Sequence, residues 1–138
     1  MSWQRLTQLQ FEHLVAIQKS MPVITINNFD LRGVAILGHQ HCINFLNCDL
    51  QKEVIDFSKL LATSKIYFEN CNFKNCSLYY TRFSNQANLH IDVKMRYCNL
   101  NDTMIYGSKP HFESNATQCS LDRILFIFDD WFVRYSNT

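Results

Sequence analysis

Ile66-Tyr67-Phe68-Glu69-Asn70-Cys71-Asn72-Phe73-Lys74-Asn75-Cys76-Ser77-Leu78-Tyr79-Tyr80-Thr81-Arg82-Phe83 decides the fold. A large apolar residue falls at every fifth place: Phe68, Phe73, Leu78 and Phe83. Two residues before each stands a smaller or β-branched one: Ile66, Cys71, Cys76 and Thr81. In an extended chain, residues two apart share a face, so each pair points inward while the mostly polar residue between them points out. The two remaining residues turn a corner. The same triplet returns as Ile43-Asn44-Phe45, Cys48-Asp49-Leu50, Ala87-Asn88-Leu89, Cys98-Asn99-Leu100, Thr103-Met104-Ile105 and Cys119-Ser120-Leu121. Four such sides close a loop of about 20 residues, and loops stacked about 4.8 Å apart satisfy one another's backbone as a parallel ladder. No loop buries its apolar side alone, so stability comes from neighbours. The expected product is a narrow solenoid over residues 23–123.

These triplets resemble those of the pentapeptide-repeat family, whose consensus is a small residue, Asp or Asn, then Leu or Phe, then two variable residues. The resemblance implies a mainly β fold, a right-handed quadrilateral parallel β-helix. Spacing slips at Gln51 to Ser64, Phe83 to Leu89, Ile91 to Tyr97 and Ser108 to Glu113, and these stretches are expected to bulge or loop from the stack. Thirteen asparagines against three glycines suit a coil with many corners, because Asn tolerates positive φ and bonds to nearby backbone. Five of the six cysteines (Cys48, Cys71, Cys76, Cys98, Cys119) take the small inward position, where a thiol acts as a compact hydrophobe. No Cys-x-x-Cys pair occurs, so no zinc site or disulfide framework is expected.

The chain reads as one domain, 1–138, with both solenoid ends covered. Leu6, Leu9, His13, Leu14 and Ile17 recur at helical spacing, which predicts a helix over 3–19 with Ser2 as N-cap and Pro22 as its stop. Ile124, Leu125, Phe128, Trp131, Phe132 and Tyr135 predict an aromatic C-terminal cap over 124–138, as a helix or as a strand followed by a helix. The alternative for Trp131, Phe132 and Tyr135 is a homodimer contact, and the family resembled here often pairs through C-terminal ends.

At 47% hydrophobic and 18% charged, with formal net charge +1, the chain is neither disordered nor equipped for broad electrostatic capture of nucleic acid. No apolar run approaches the roughly 20 residues of a membrane span, and Met1-Ser2-Trp3-Gln4-Arg5 does not open a secretory signal, so a cytoplasmic protein is expected. Chemistry has little to work with. His39, His41 and Cys42 are the closest gathering of ligands or of nucleophile and base, and no third ligand stands at a recognised spacing. There is no Gly-x-Ser-x-Gly elbow, and Gly33, Gly38 and Gly107 form no phosphate loop. The reading is therefore a non-enzyme without cofactor or metal.

What remains is surface recognition by outward residues of hot-spot type: Tyr79, Tyr80, Arg82, His90, Lys94, Arg96, Tyr97 and Tyr106. The expected function is a protein-binding module, specifically a small inhibitor or immunity protein (an antitoxin) that occludes a bacterial toxin or another enzyme. Two alternatives stay open. The family resemblance implies that a DNA-mimicking, gyrase-binding protein is one, although 13 basic against 12 acidic residues supply no obvious acidic face. An enzyme or metal site centred on Cys42 or the His39/His41 pair is the other.

Overall fold

A computed structural model describes residues 3–37, 42–57, 60, 64–79, 93–107 and 109–127. Among them the protein is mainly β, and its strands pair in parallel. β1 (Gln4–Arg5) precedes helix α1 (Gln8–Ile17), followed by β2 (Ile24–Asn27), β3 (Phe29–Asp30), β4 (Cys42–Leu46), β5 (Val54–Asp56), β6 (Lys65–Glu69), β7 (Ser77–Tyr79), β8 (Val93–Arg96) and β9 (Met104–Tyr106). Helix α2 (Lys109–Asn115), β10 (Ala116–Thr117) and β11 (Leu125–Ile127) complete the order. A five-stranded sheet runs β10-β8-β6-β4-β2, a four-stranded one β11-β9-β7-β5, and β1 pairs with β3.

The registers share one rule. Ile24, Ile43, Ile66 and Val93 are successive partners in the five-stranded sheet. Val54, Ser77, Met104 and Leu125 are successive partners in the four-stranded sheet. Between the sheets runs a column of single bridges, Asp30↔Asp49↔Asn72↔Asn99↔Ser120. Within a pass the bridge residue always follows six residues after the first sheet position, and the second sheet position eleven after it: Ile43, Asp49, Val54; Ile66, Asn72, Ser77; Val93, Asn99, Met104. All variation in pass length lies on the return from the four-stranded sheet to the five-stranded one. Two expected interruptions are corrected accordingly. Val93–Arg96 is a strand in register with Ile66–Glu69, and Gln51 to Asp56 keeps the ladder spacing. From Lys109 the chain does leave the ladder, as the helix α2 that occupies the return before β10. The triplets at Thr81 and Ala87 lie outside the described residues.

Corners obey the same register. Asn28, Asn47, Asn70, Tyr97 and Gln118 have φ of 70, 55, 54, 58 and 52°, and they form one column following the five-stranded sheet. Gly33, Lys52, Asn75, Asp102 and Arg123 form a second, preceding the four-stranded sheet. Four of these positions are Asn, the residue that tolerates the left-handed region best after Gly. The centres of the first four bridge triplets stabilise the second corner: Asp30, Asp49, Asn72 and Asn99 each accept, through a side-chain oxygen, the backbone N–H two residues on, at 3.0 to 3.2 Å. This is a repeated Asx-turn, and it gives the acidic or amide residue at the triplet's centre its purpose; at Ser120 the corresponding N–H, that of Asp122, is taken by Asn101 Oδ1 instead. Asp30 and Asp49 are nevertheless buried rather than outward-facing, because Arg32 lies over them. It forks onto Asp30 at 3.0 and 2.9 Å and stands 3.6 Å from Asp49.

The inward side chains make one core. Phe68 stacks on Phe45 at 5.0 Å and meets Phe73 and Phe57 edge-on at 4.8 and 6.0 Å. Helix α1 extends this column, with Phe11 parallel to Phe45 at 6.3 Å. The helix begins later than the periodicity predicted. Thr7, not Ser2, is the N-cap and shares a capping box with Gln10, since Gln4–Arg5 is taken up by pairing with β3. Its buried face carries Phe11 and Val15, while Leu9 and Ile17 point to solvent.

Candidate functional site

The four-stranded sheet presents its outer face as two rows, because alternate residues of each strand point outward. Ile55, Leu78 and Ile105 point in and are buried. One outer row is Val54, Ser77, Met104 and Leu125; the other is Asp56, Tyr79, Tyr106 and Ile127. Parallel in-register pairing sets like positions directly over each other, and the Tyr79 and Tyr106 rings stack at 4.2 Å with only 5° between their planes. Partial burial, with Tyr79 beside it, raises the Tyr106 phenol above its ordinary value. Around the stack stand apolar side chains open to solvent: Val54 is 68% exposed, Leu125 54% and Ile127 37%. A face that is apolar and aromatic on one rigid sheet is of the kind that marks an interaction surface.

Sequence reasoning named Tyr79 and Tyr106 but missed Val54, Met104, Leu125 and Ile127 as their neighbours. The signal was available: Met104 occupies the centre of its triplet, where a polar residue is the rule. The other expected contact residues are not gathered with the tyrosine stack. Lys94 and Arg96 project from β8 on the five-stranded sheet, and Tyr97 is the corner that follows. There the Arg96 guanidinium lies 4.8 Å from the Tyr97 ring centroid and donates to its hydroxyl at 3.1 Å, while Nε donates to Gln118 at 3.2 Å. The structure thus divides the predicted surface between two sheets. Tyr80, Arg82, His90, Trp131, Phe132 and Tyr135 lie outside the described residues, as do His39 and His41.

Cys42, the third member of the sequence's chemical candidate, opens β4 and is half-buried. Among the described residues no group of three or more His, Cys, Asp or Glu is placed to hold a metal ion. Cys48, Cys71, Cys98 and Cys119 form an inward column on the bridge side, and all are free thiols. Burial pushes the Cys76 thiol up to about 12 and raises Cys71 further, which keeps both protonated. No helix among the described residues is long and apolar enough to cross a membrane. No family model matches the chain. No curated protein matches it either.

Proposed function

We propose that this chain is a right-handed β-helix of the pentapeptide-repeat type that acts as a protein-binding module, an inhibitor or immunity protein that covers the working surface of a toxin or another enzyme. One observation carries the reading: the Tyr79–Tyr106 stack set among exposed Val54, Leu125 and Ile127 on an in-register parallel sheet. The stack is held before any partner arrives, so few rotamers are lost on binding. The β-helix part of the reading draws its support from the constant six- and eleven-residue spacing of the three ladders and from the two columns of left-handed corners. Mimicry of duplex DNA draws no comparable support, since the outer positions of β6 and β8 mix Glu69 with Lys94 and Arg96.

The test is co-purification and inhibition against purified candidate bacterial toxins, using the native chain and Tyr106→Arg. Binding below micromolar that the substitution weakens at least tenfold supports the reading. Failure of the native chain to bind or inhibit any of them at micromolar concentration refutes it, and so does binding that the substitution leaves unchanged.

A further inference from the structure

At the corner between the five-stranded sheet and the bridge column lies a groove of about 600 Å3, within the range of small-ligand sites. Its lining is neutral: six primary amides dominate it, and Cys71 and the aromatic rings of Trp3 and Tyr97 complete it. The amides are ordered by the register of the corners. Asn70 Nδ2 donates to Asn47 Oδ1 at 2.7 Å, and Asn47 Nδ2 donates to Asn27 Oδ1 at 3.0 Å. The Trp3 indole N–H donates to the Asn47 carbonyl at 2.6 Å, which ties the ring to this ladder. Because neighbouring passes stand about 4.8 Å apart, the groove repeats one planar donor–acceptor group along its length.

The lining excludes several ligand classes. With no charged side chain in it, the groove offers nothing to offset a phosphate or carboxylate. An extended peptide needs free backbone groups at its docking edge. Here the corner N–H groups are already spent on the next pass: Asn28 to Leu46, Asn47 to Glu69, Asn70 to Arg96 and Tyr97 to Thr117. Side-chain amides and ring faces are left. The Asn28 amide has no partner among the described residues, and Asn70 Oδ1 accepts no bond there. A planar amide serves a pair of adjacent hydroxyls as donor and acceptor together, and an aromatic face packs against the C–H face of a sugar ring.

We propose that this groove binds a neutral oligosaccharide, with the Asn27–Asn47–Asn70 ladder reading its hydroxyls and Trp3 and Tyr97 packing on its rings. The site is separate from the tyrosine face and does not depend on it.

Titration of the purified full chain with cellotetraose, maltotetraose and chitotetraose, read by tryptophan fluorescence and amide NMR shifts, tests the proposal. At least one should bind saturably, with shifts centred on the groove residues. Asn47→Gly and Asn70→Gly remove the amides from corners at φ 55 and 54°, which glycine adopts freely, so these variants keep the fold. Each should weaken binding at least tenfold while retaining a cooperative urea transition, and Tyr106→Arg should leave binding unaltered. Absence of binding by all three sugars overturns the proposal. Native-like affinity in both Gly variants, tighter binding of tetragalacturonate than of the neutral sugars, or binding of a neutral tetrapeptide in their place overturns it equally.

Discussion

The Thr103 hydroxyl donates to the carbonyl oxygen of Phe73, one pass earlier, at 2.9 Å. The same step recurs at four of the inward cysteines. Cys76 Sγ donates to the Leu50 carbonyl at 2.8 Å, Cys71 to Phe45 at 3.3 Å, Cys48 to Ile26 and Cys98 to Phe68 at 3.6 Å. In each case the acceptor lies three residues before the donor's own partner position in the previous pass. The small inward slot therefore selects for a compact side chain that also bonds the stack along its axis. Thr103→Val keeps the shape and removes the donor, while the Phe73 carbonyl retains the Cys76 N–H at 3.1 Å. The expected cost is about 1 kcal/mol, the net worth of one hydrogen bond. Thr103→Cys should cost less. Urea denaturation reads both through the midpoint at constant slope.

Tyr97 stands in the left-handed region at φ 58°, in a column otherwise made of three Asn and a Gln. A bulky residue there carries backbone strain of about 1–2 kcal/mol. Its contact with Arg96 offsets part of that strain. Tyr97→Asn is expected to leave stability unchanged or raise it by up to about 1 kcal/mol, whereas β-branched Tyr97→Val should lower it by more than 1 kcal/mol. Gly33 supplies a control in the second column. At φ +82° an added Cβ would meet only Arg5 Nη2 at 3.7 Å, an ordinary contact. Gly33→Ala should therefore cost the backbone term alone, about 1 kcal/mol, and Gly33→Asn less. Thermal melts of the four variants decide the ranking.

The inward phase at Cys71, Phe73, Cys76 and Leu78 was legible because a five-residue period needs no tertiary information. The same five-residue signal ran through Ile24-Thr25-Ile26, Phe29-Asp30-Leu31 and Val34-Ala35-Ile36, where it was overlooked. Other features depend on how the passes align. The pairing of Tyr79 with Tyr106 requires knowing that Val93 resumes the register of Ile66, which spacing alone does not give. The buried face of α1 was misassigned for a related reason: Phe11 rather than Leu9 lies in line with Phe45, and only the docked position of the helix decides that. Glu53 hid β5 in the same way. It stands in a small inward slot, where it breaks the hydrophobic pattern, yet its carboxylate accepts the Gly33 N–H of the pass before and keeps the register.

Phe68 has the most to lose of the core residues. It is fully buried and touches Phe45, Phe57 and Phe73. Phe68→Ala should cost about 3–5 kcal/mol, a large fraction of the roughly 5–15 kcal/mol that holds a domain folded, and Phe68→Leu considerably less. Because Phe68 contacts rings from more than one pass, the loss should appear as a single cooperative transition at lower urea. A second, separate transition would mean that the passes melt independently.

Acid should act on the first pass through Asp30. The Arg32 guanidinium, hydrogen-bonded to its carboxylate, holds Asp30 below the ordinary 3.8, against the opposing pull of desolvation. The folded state thus favours the ionised form more strongly than the unfolded chain does. This contribution is complete above the unfolded value and disappears as pH falls through the folded one. Asp102 is lowered in the same sense by Arg123, so acid sensitivity of the whole chain would not isolate Asp30. The difference between native protein and Asp30→Asn does. Asn keeps a side-chain oxygen for the Arg32 backbone N–H, now bonded at 3.0 Å, so the Asx-turn survives while the ion pair is lost. Measured by urea titration, native protein should exceed the variant by a constant margin from neutral pH down to about 5, and the two should converge below about pH 4. A margin that persists in acid would show that the charge of Asp30 is not what separates the two proteins.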